Sequence, residues 1–330
     1  MTGLPGSMMA IAIAAPGGPD VLRPETRPVP RPAPGEVLVR VTAAGVNGPD
    51  LMQRRGLYPP PPGASDLPGL EVSGTIAALG DGVTGWAVGD RVTALTNGGY
   101  AEFCAVDARH CLQVPTGPSL AEAASLPETM FTVWSNLFVD AQLKAGETLL
   151  VHGGAGGIGS TAIQMAKARG VRVVATESPA ERCEFCAALG ADRVIDFREE
   201  DFVPILREAG GANVILDIVG GDNIARNFKA AALDGRIVQI AFAQGSNVQI
   251  DLMPVMLKRL SYRGSTLRSR SSDGKARIAA DLRREIWPLI EAGRIRPVVN
   301  ATFPLPDAAE AHRLMESATH LGKIVLLVEN

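Results

Sequence analysis

Residues 151–160 read VHGGAGGIGS. Within them, Gly154-Ala155-Gly156-Gly157-Ile158-Gly159 is a complete G-x-G-x-x-G. It lies between a strand-like run, TLLVH, and a helix-like run, STAIQMAKARG. Each glycine adds backbone entropy that folding must overcome, so half of a ten-residue stretch as glycine needs a reason. The strand-loop-helix context supplies one. The glycines permit a tight turn, close approach of backbone to a pyrophosphate, and close packing of the helix on its strand. The helix N-terminus adds N–H groups and the positive end of its dipole. The chemistry is dinucleotide binding through Gly154, Gly156, Gly157, Ile158 and Gly159. A glycine-rich turn without a ligand is the bland alternative.

A dinucleotide site is completed at the end of the next strand, and here that strand ends in VVATESPAER. Glu177 lies 23 residues after Gly154. An acid at that distance takes the ribose 2′-OH and repels a 2′-phosphate, which favours NADH. Ser178 and Arg182 follow, and a guanidinium grips a phosphate bidentately, which favours NADPH. A third reading makes Glu177 and Arg182 an exposed pair at a helix start. Phe242 and Leu267 come just after apolar strand cores, where a doubly wound sheet binds its ligands. Arg268 and Arg270 there are anion contacts or simply solvated. Cys183-x-x-Cys186 has the spacing of a redox or metal pair. Its place on the apolar side of AERCEFCAALG favours packing as small apolar residues instead.

The elements that must hold these residues fall into two textures. Residues 9–125 are rich in proline, glycine and short β-type runs (EVLVRVTAAGVN, LEVSGTIAALG, DRVTAL, YAEFCAV) separated by turn signals. From about residue 130, apolar cores recur: TLLVH, VRVVAT, RVIDF, VILDIVG, RIVQIA and SYRGST. Each interval has room for one crossover helix, including AERCEFCAALG and NIARNFKAAALDG, both ending at a glycine. That repeat predicts an α/β fold with a doubly wound parallel sheet. After residue 275 come one helix (ARIAADLRREIWPLIEAG), a strand-like VVNATFPL, a second helix and a closing strand, GKIVLLV, with the texture of the first domain. The expected domains are 1–128 with 275–330, and 129–274. The first eight residues read as a short extension.

Composition excludes several classes. A net charge of −3 argues against a nucleic-acid partner held by bulk electrostatics. Four cysteines are too few for a disulfide scaffold in 330 residues, so a reducing, cytoplasmic location is expected. The uncharged stretch from Thr148 to Ala166 is broken by glycines, His152, Ser160, Thr161 and Gln164, so no membrane span is expected. The N-terminus lacks the basic start of a signal peptide.

One further stretch, AGVNGPDLMQRRGLYPPPPGASDLPGLEVSG, joins GGAGGIG, PETMFTVWSNL, DIVGG, GSTLRSR and GKIVLL in a recognisable order. Together they resemble the zinc-free quinone oxidoreductases of the medium-chain dehydrogenase/reductase superfamily, nearest to the p53-inducible type. The resemblance implies a GroES-like β domain interrupted by a Rossmann domain, with the active site in the cleft between them. It implies a homodimer through the edges of the Rossmann sheet. It places Asn47 and Leu70 where zinc-containing relatives carry cysteine and histidine, and neither holds zinc in the ordinary way, so no metal is expected.

The same resemblance places Asn47 and Tyr58 at the nicotinamide and substrate site, Thr132 near the carboxamide, and Arg182 at the basic position that meets a 2′-phosphate. An amide and a phenol can donate hydrogen bonds to a carbonyl oxygen that gains charge as hydride arrives. Asn47 could equally be a turn residue, and Tyr58 a lid on its proline run. The expected activity is metal-free, NADPH-dependent reduction of quinones and other α,β-unsaturated carbonyls, with NADH possible. The alternatives are an enoyl reductase, an alcohol dehydrogenase, or a nucleotide-binding protein without catalysis.

Overall fold

The computed structural model describes residues 3–329. The chain divides into two compact units. One runs up to Phe131 and resumes at Arg268; the other is Thr132–Leu267.

The first unit opens with an antiparallel ribbon, β1 (Ser7–Ile13) and β2 (Leu22–Pro28). The extension expected before β1 shortens to the residues preceding Ser7, of which 1 and 2 lie outside the described residues. A larger sheet follows, from β3 (Glu36–Val46), β4 (Glu71–Leu79), β5 (Arg91–Leu95), β6 (Phe103–Asp107) and β7 (Cys111–Gln113). Between β3 and β4 sit a short helix, α1 (Gly48–Arg54), and a proline-rich loop. After β7 come α2 (Leu120–Ala123) and α3 (Pro127–Val133). The alternation of valine, leucine and alanine along β3 and β4 buries Val37, Val39, Val41, Val72 and Ile76 in one core.

The second unit is a parallel sheet: β8 (Thr148–His152), β9 (Arg172–Glu177), β10 (Arg193–Asp196), β11 (Ala212–Asp217), β12 (Ala231–Gln239) and β13 (Ser261–Gly264). Their order, β10-β9-β8-β11-β12-β13, reverses between β8 and β11, which defines a Rossmann fold with its switch point there. The crossovers carry α4 (Gly157–Ala168), α5 (Ala180–Ala188), α6 (Phe202–Glu208), α7 (Asn223–Ala230) and α8 (Met253–Lys258). The helix expected over NIARNFKAAALDG is a correction: it ends at Ala230. The following alanines start β12, where Ala231 pairs with Ala212, so sheet pairing overrides alanine's helical preference.

The chain then returns to the first unit through α9 (Ser272–Glu285), α10 (Trp287–Glu291), β14 (Val299–Pro304), α11 (Ala308–Glu316) and β15 (Lys323–Leu327). The single helix expected over residues 276–293 is two. It breaks at Ile286, ahead of Pro288, which cannot supply an interior N–H. β15 pairs antiparallel with β3, so Ile324 faces Val46 and the last strand lies beside Asn47. Among the described residues no helix is long and apolar enough to cross a membrane.

Candidate functional site

In the Rossmann unit the glycines divide the work. Gly153 has φ 73°, open to glycine at little cost. A Cβ at Gly159 would sit 2.2 Å from the Gly153 carbonyl oxygen, so this glycine lets α4 press onto the loop. A Cβ at Gly154 would meet the Cys186 sulfur at 2.8 Å, which shows what lies beneath the turn. Gly156, the N-cap of α4, is different: a Cβ there would meet nothing nearer than 3.9 Å. Its outer side is open, as a backbone that receives a ligand requires.

Cys186 is therefore part of the floor of the loop, fully buried, and Cys183 gives its thiol to the Glu177 carbonyl. Burial pushes the Cys186 thiol up to about 12, which keeps it a thiol rather than a reactive thiolate. His152 is also structural. Asn227 donates its amide to Asp217, so its oxygen accepts from His152 Nε2, and Nδ1 accepts from Thr176. Burial lowers the pKa of this imidazole and holds it neutral.

Glu177 corrects the sequence reading. It is 5% exposed, not an exposed partner for Arg182. One carboxylate oxygen accepts the Ala155 N–H of the glycine loop at 2.8 Å. The other accepts the Ser178 N–H at 3.2 Å and Arg182 Nε at 3.2 Å. Its charge is spent on bracing the loop and holding Arg182. Beside it the Ser178 hydroxyl is buried with no hydrogen-bond partner, an orphan that a phosphate oxygen would satisfy.

The ends of β11 and β12 continue into two loops laced together: Gly221 N–H donates to the Gly245 carbonyl and Gln244 N–H to the Val219 carbonyl. Phe242, 46% exposed, projects from the second, while Leu267 is buried. Thr132 is buried, and its carbonyl accepts from Ser135 and from Asn136, whose own oxygen accepts from Ser265. Asn136 and Ser265, two residues before Leu267, were not singled out in the sequence; only the position of Asn136 in PETMFTVWSNL hinted at it.

In the first unit Asn47 anchors a buried polar cluster. Its backbone N–H donates to Asp50, closing a capping box on α1. Its side-chain amide donates to Glu71 at 2.9 Å and to the Gly45 carbonyl at 3.4 Å. Its oxygen accepts from Lys323, which also pairs with Glu71 at 2.7 Å and donates to the Val46 carbonyl. Both amide hydrogens are engaged within the protein, so Asn47 here is a structural tie and not a ready donor to a substrate carbonyl. Lys323 and the depth of Glu71 were missed, because 252 and 24 residues respectively separate them in sequence from Glu71 and Asn47.

A second chain of bonds runs from Asp50. Arg54 donates to His312 Nδ1, so the proton of this imidazole sits on Nε2 and is given to Tyr100, whose hydroxyl faces Asp50 at 3.5 Å. Burial, then the Arg54 charge, pushes His312 down to about 3. Burial pushes Asp50 up to about 7 against the pull of the Gly69 and Asn47 N–H groups.

Tyr58, half-buried, lies in the loop after α1. Arg268 sits 4.7 Å above its ring and donates to its carbonyl oxygen, so Arg268 is neither solvated nor an anion site as expected.

The parallel sheet, its switch point and the glycine loop at the start of α4 together define a dinucleotide-binding fold. The alcohol dehydrogenase GroES-like domain family matches residues 33–116, and the zinc-binding dehydrogenase family matches residues 189–326. The quinone oxidoreductase of Rattus norvegicus is 32% identical over 328 residues, 97% of this chain and 98% of that protein. The Escherichia coli quinone oxidoreductase solved with NADPH is 30% identical with a TM-score of 0.85, covering 97% of this chain and 99% of that one. A mycobacterial protein, also solved with NADPH, is 34% identical with a TM-score of 0.86 over the same shares. The chain belongs to the zinc-free, quinone-oxidoreductase-like branch of the medium-chain dehydrogenase/reductase superfamily. Zinc, which the second family's description implies, does not fit these residues. The Asn47 amide is saturated, Leu70 has no donor atom, and among the described residues no three His, Cys, Asp or Glu cluster to hold a metal.

Proposed function

We propose that the protein is an NADPH-dependent, metal-independent reductase of quinones and other α,β-unsaturated carbonyls. The observation that carries this reading is the open backbone at Gly156 with the orphaned Ser178 hydroxyl and Arg182 at the neighbouring strand end. Those residues fit a dinucleotide bearing a 2′-phosphate. Bound NADPH supplies the hydride. The glycine loop and the start of α4 receive the pyrophosphate on backbone N–H groups. Ser178 and Arg182 take the 2′-phosphate, with Glu177 holding the guanidinium in place. Thr132 orients the carboxamide, and Phe242 and Leu267 line the nicotinamide end. Tyr58 donates to the acceptor's carbonyl oxygen as negative charge develops there. An electron-poor acceptor needs less electrophilic help than a ketone. Water protonates the product, since His152 and His312 are both buried and committed to internal bonds.

We further propose a homodimer. β13 ends the sheet with all four residues exposed, and Leu252, Met253, Met256 and Leu257 next to it are exposed apolar side chains. A cytoplasmic enzyme nearest the p53-inducible type completes the reading. A screen of quinones and enones with NADPH and NADH tests the activity. Tight NADPH binding without turnover of any acceptor would make it a non-catalytic binding protein, and a monomer mass by light scattering would refute the dimer.

A further inference from the structure

The Tyr58 loop joins α1 to β4. Residues 59–62 are four consecutive prolines, so that stretch offers no backbone N–H. A brace from outside helps to hold the loop. Gln53, buried on α1, donates its amide to the Asp66 carbonyl at the far end of the loop. The Gln53 oxygen accepts from Arg268 Nη2 at 2.5 Å. Arg268 Nη1 donates to the carbonyls of Tyr58 at 2.9 Å and Pro59 at 3.4 Å. The guanidinium lies over the phenol ring, 4.7 Å from its centre. Arg268 is itself pinned: Lys275 on α9 donates to its carbonyl at 3.0 Å. Its Nε is buried without a partner, so the group gives up one hydrogen bond to keep this pose.

We infer that Arg268 is the positioning residue for Tyr58, and that it also makes the phenol a stronger hydrogen-bond donor toward the acceptor carbonyl. A cation on the ring face withdraws electron density and favours charge building up on the phenol oxygen. Lysine lacks the planar fork that spans two carbonyls, Gln53 and the ring at once. The inference rests on the proposed reductase activity and on Tyr58 as the donor.

The test is a set of four variants, Arg268→Ala, Arg268→Lys, Tyr58→Phe and the double Arg268→Ala/Tyr58→Phe. They are assayed by steady-state kinetics with NADPH and 1,4-benzoquinone, by NADPH binding from fluorescence, and by amide hydrogen exchange. Arg268→Ala is expected to speed exchange in residues 55–67 and to lower kcat roughly 10- to 100-fold, the scale of a misplaced reacting group. NADPH affinity stays within about twofold, because no cofactor contact is removed. Lysine recovers only a minor part of kcat, and the double variant equals Tyr58→Phe alone. Unchanged exchange in Arg268→Ala overturns the inference whatever the activity. So do multiplicative losses in the double variant, or a Tyr58→Phe enzyme as fast as the parent. A parent that binds NADPH but reduces no quinone removes the functional reading itself, and the catalytic part of this inference with it.

Discussion

Arg182→Ala probes the cofactor site where the geometry is most specific. In the parent, Arg182 is held by Glu177 at 3.2 Å, and the same carboxylate braces the glycine loop through Ala155. Removing the guanidinium leaves Glu177 its two backbone donors, so the loop keeps its shape. What is lost is a charge-assisted contact to the 2′-phosphate, worth about 1.5–3 kcal/mol. The carboxylate is also left unscreened beside that phosphate. The expected result is a fall in kcat/KM of roughly 10- to 150-fold with NADPH, with little change for NADH. Glu177→Gln works in the other direction. It keeps an acceptor for Ala155 and removes the negative charge that would repel the 2′-phosphate. The NADPH-to-NADH ratio of kcat/KM should rise about 5- to 30-fold, the equivalent of 1–2 kcal/mol. The assay is nicotinamide absorbance under kcat/KM conditions with a fixed quinone. Equal losses for both cofactors in Arg182→Ala, or an unchanged ratio in Glu177→Gln, would refute the placement of the 2′-phosphate.

Lys323→Met strips the buried Glu71 carboxylate of its cation, which costs about 3–5 kcal/mol. The thermal midpoint should drop by roughly 4–7 °C, and the double variant Glu71→Gln/Lys323→Met should recover part of it; a parent-like midpoint in the single variant would contradict the buried pair. Asp50 gives a pH signature. Its folded pKa, about 7, lies above its unfolded value, so its contribution is full below about pH 4 and is lost as pH rises through 7. The loss is on the order of 4 kcal/mol. Melting temperature should fall from pH 5 to pH 8, and Asp50→Asn should flatten that slope at lower overall stability; an equal slope in both proteins would exclude Asp50 as its source.

The Rossmann unit was legible because its central strands, such as β8 and β11, are apolar runs and the glycine motif sits at one loop. Both signals are local. The all-β texture of the first domain was legible too, from its turns and short strand-like runs, while its GroES-like character came only from the resemblance. Helix ends failed where a long-range partner decided them, as at Ala231 beside Ala212. The chemistry of Asn47 failed for the same reason. An asparagine reads as a donor until Lys323 and Glu71, brought in by β15 and β4, occupy its amide on both sides. Glu177 could be located in sequence but not oriented. Whether a carboxylate faces a ribose or turns back to a loop N–H is a rotamer choice set by the loop's own unpaired donor. The role of Arg268 was misread because its partners, Gln53 and Tyr58, lie more than 200 residues away.

Steady-state reduction of 1,4-benzoquinone and of a simple cyclic enone by the purified protein, run in EDTA with NADPH and with NADH and paired with elemental analysis, bears on the whole reading at once. Expected are turnover with NADPH in preference to NADH, no loss of rate in chelator and no stoichiometric zinc. About one zinc per chain, removed together with the activity, would contradict it. So would preferred turnover with NADH, or NADPH binding with no acceptor reduced.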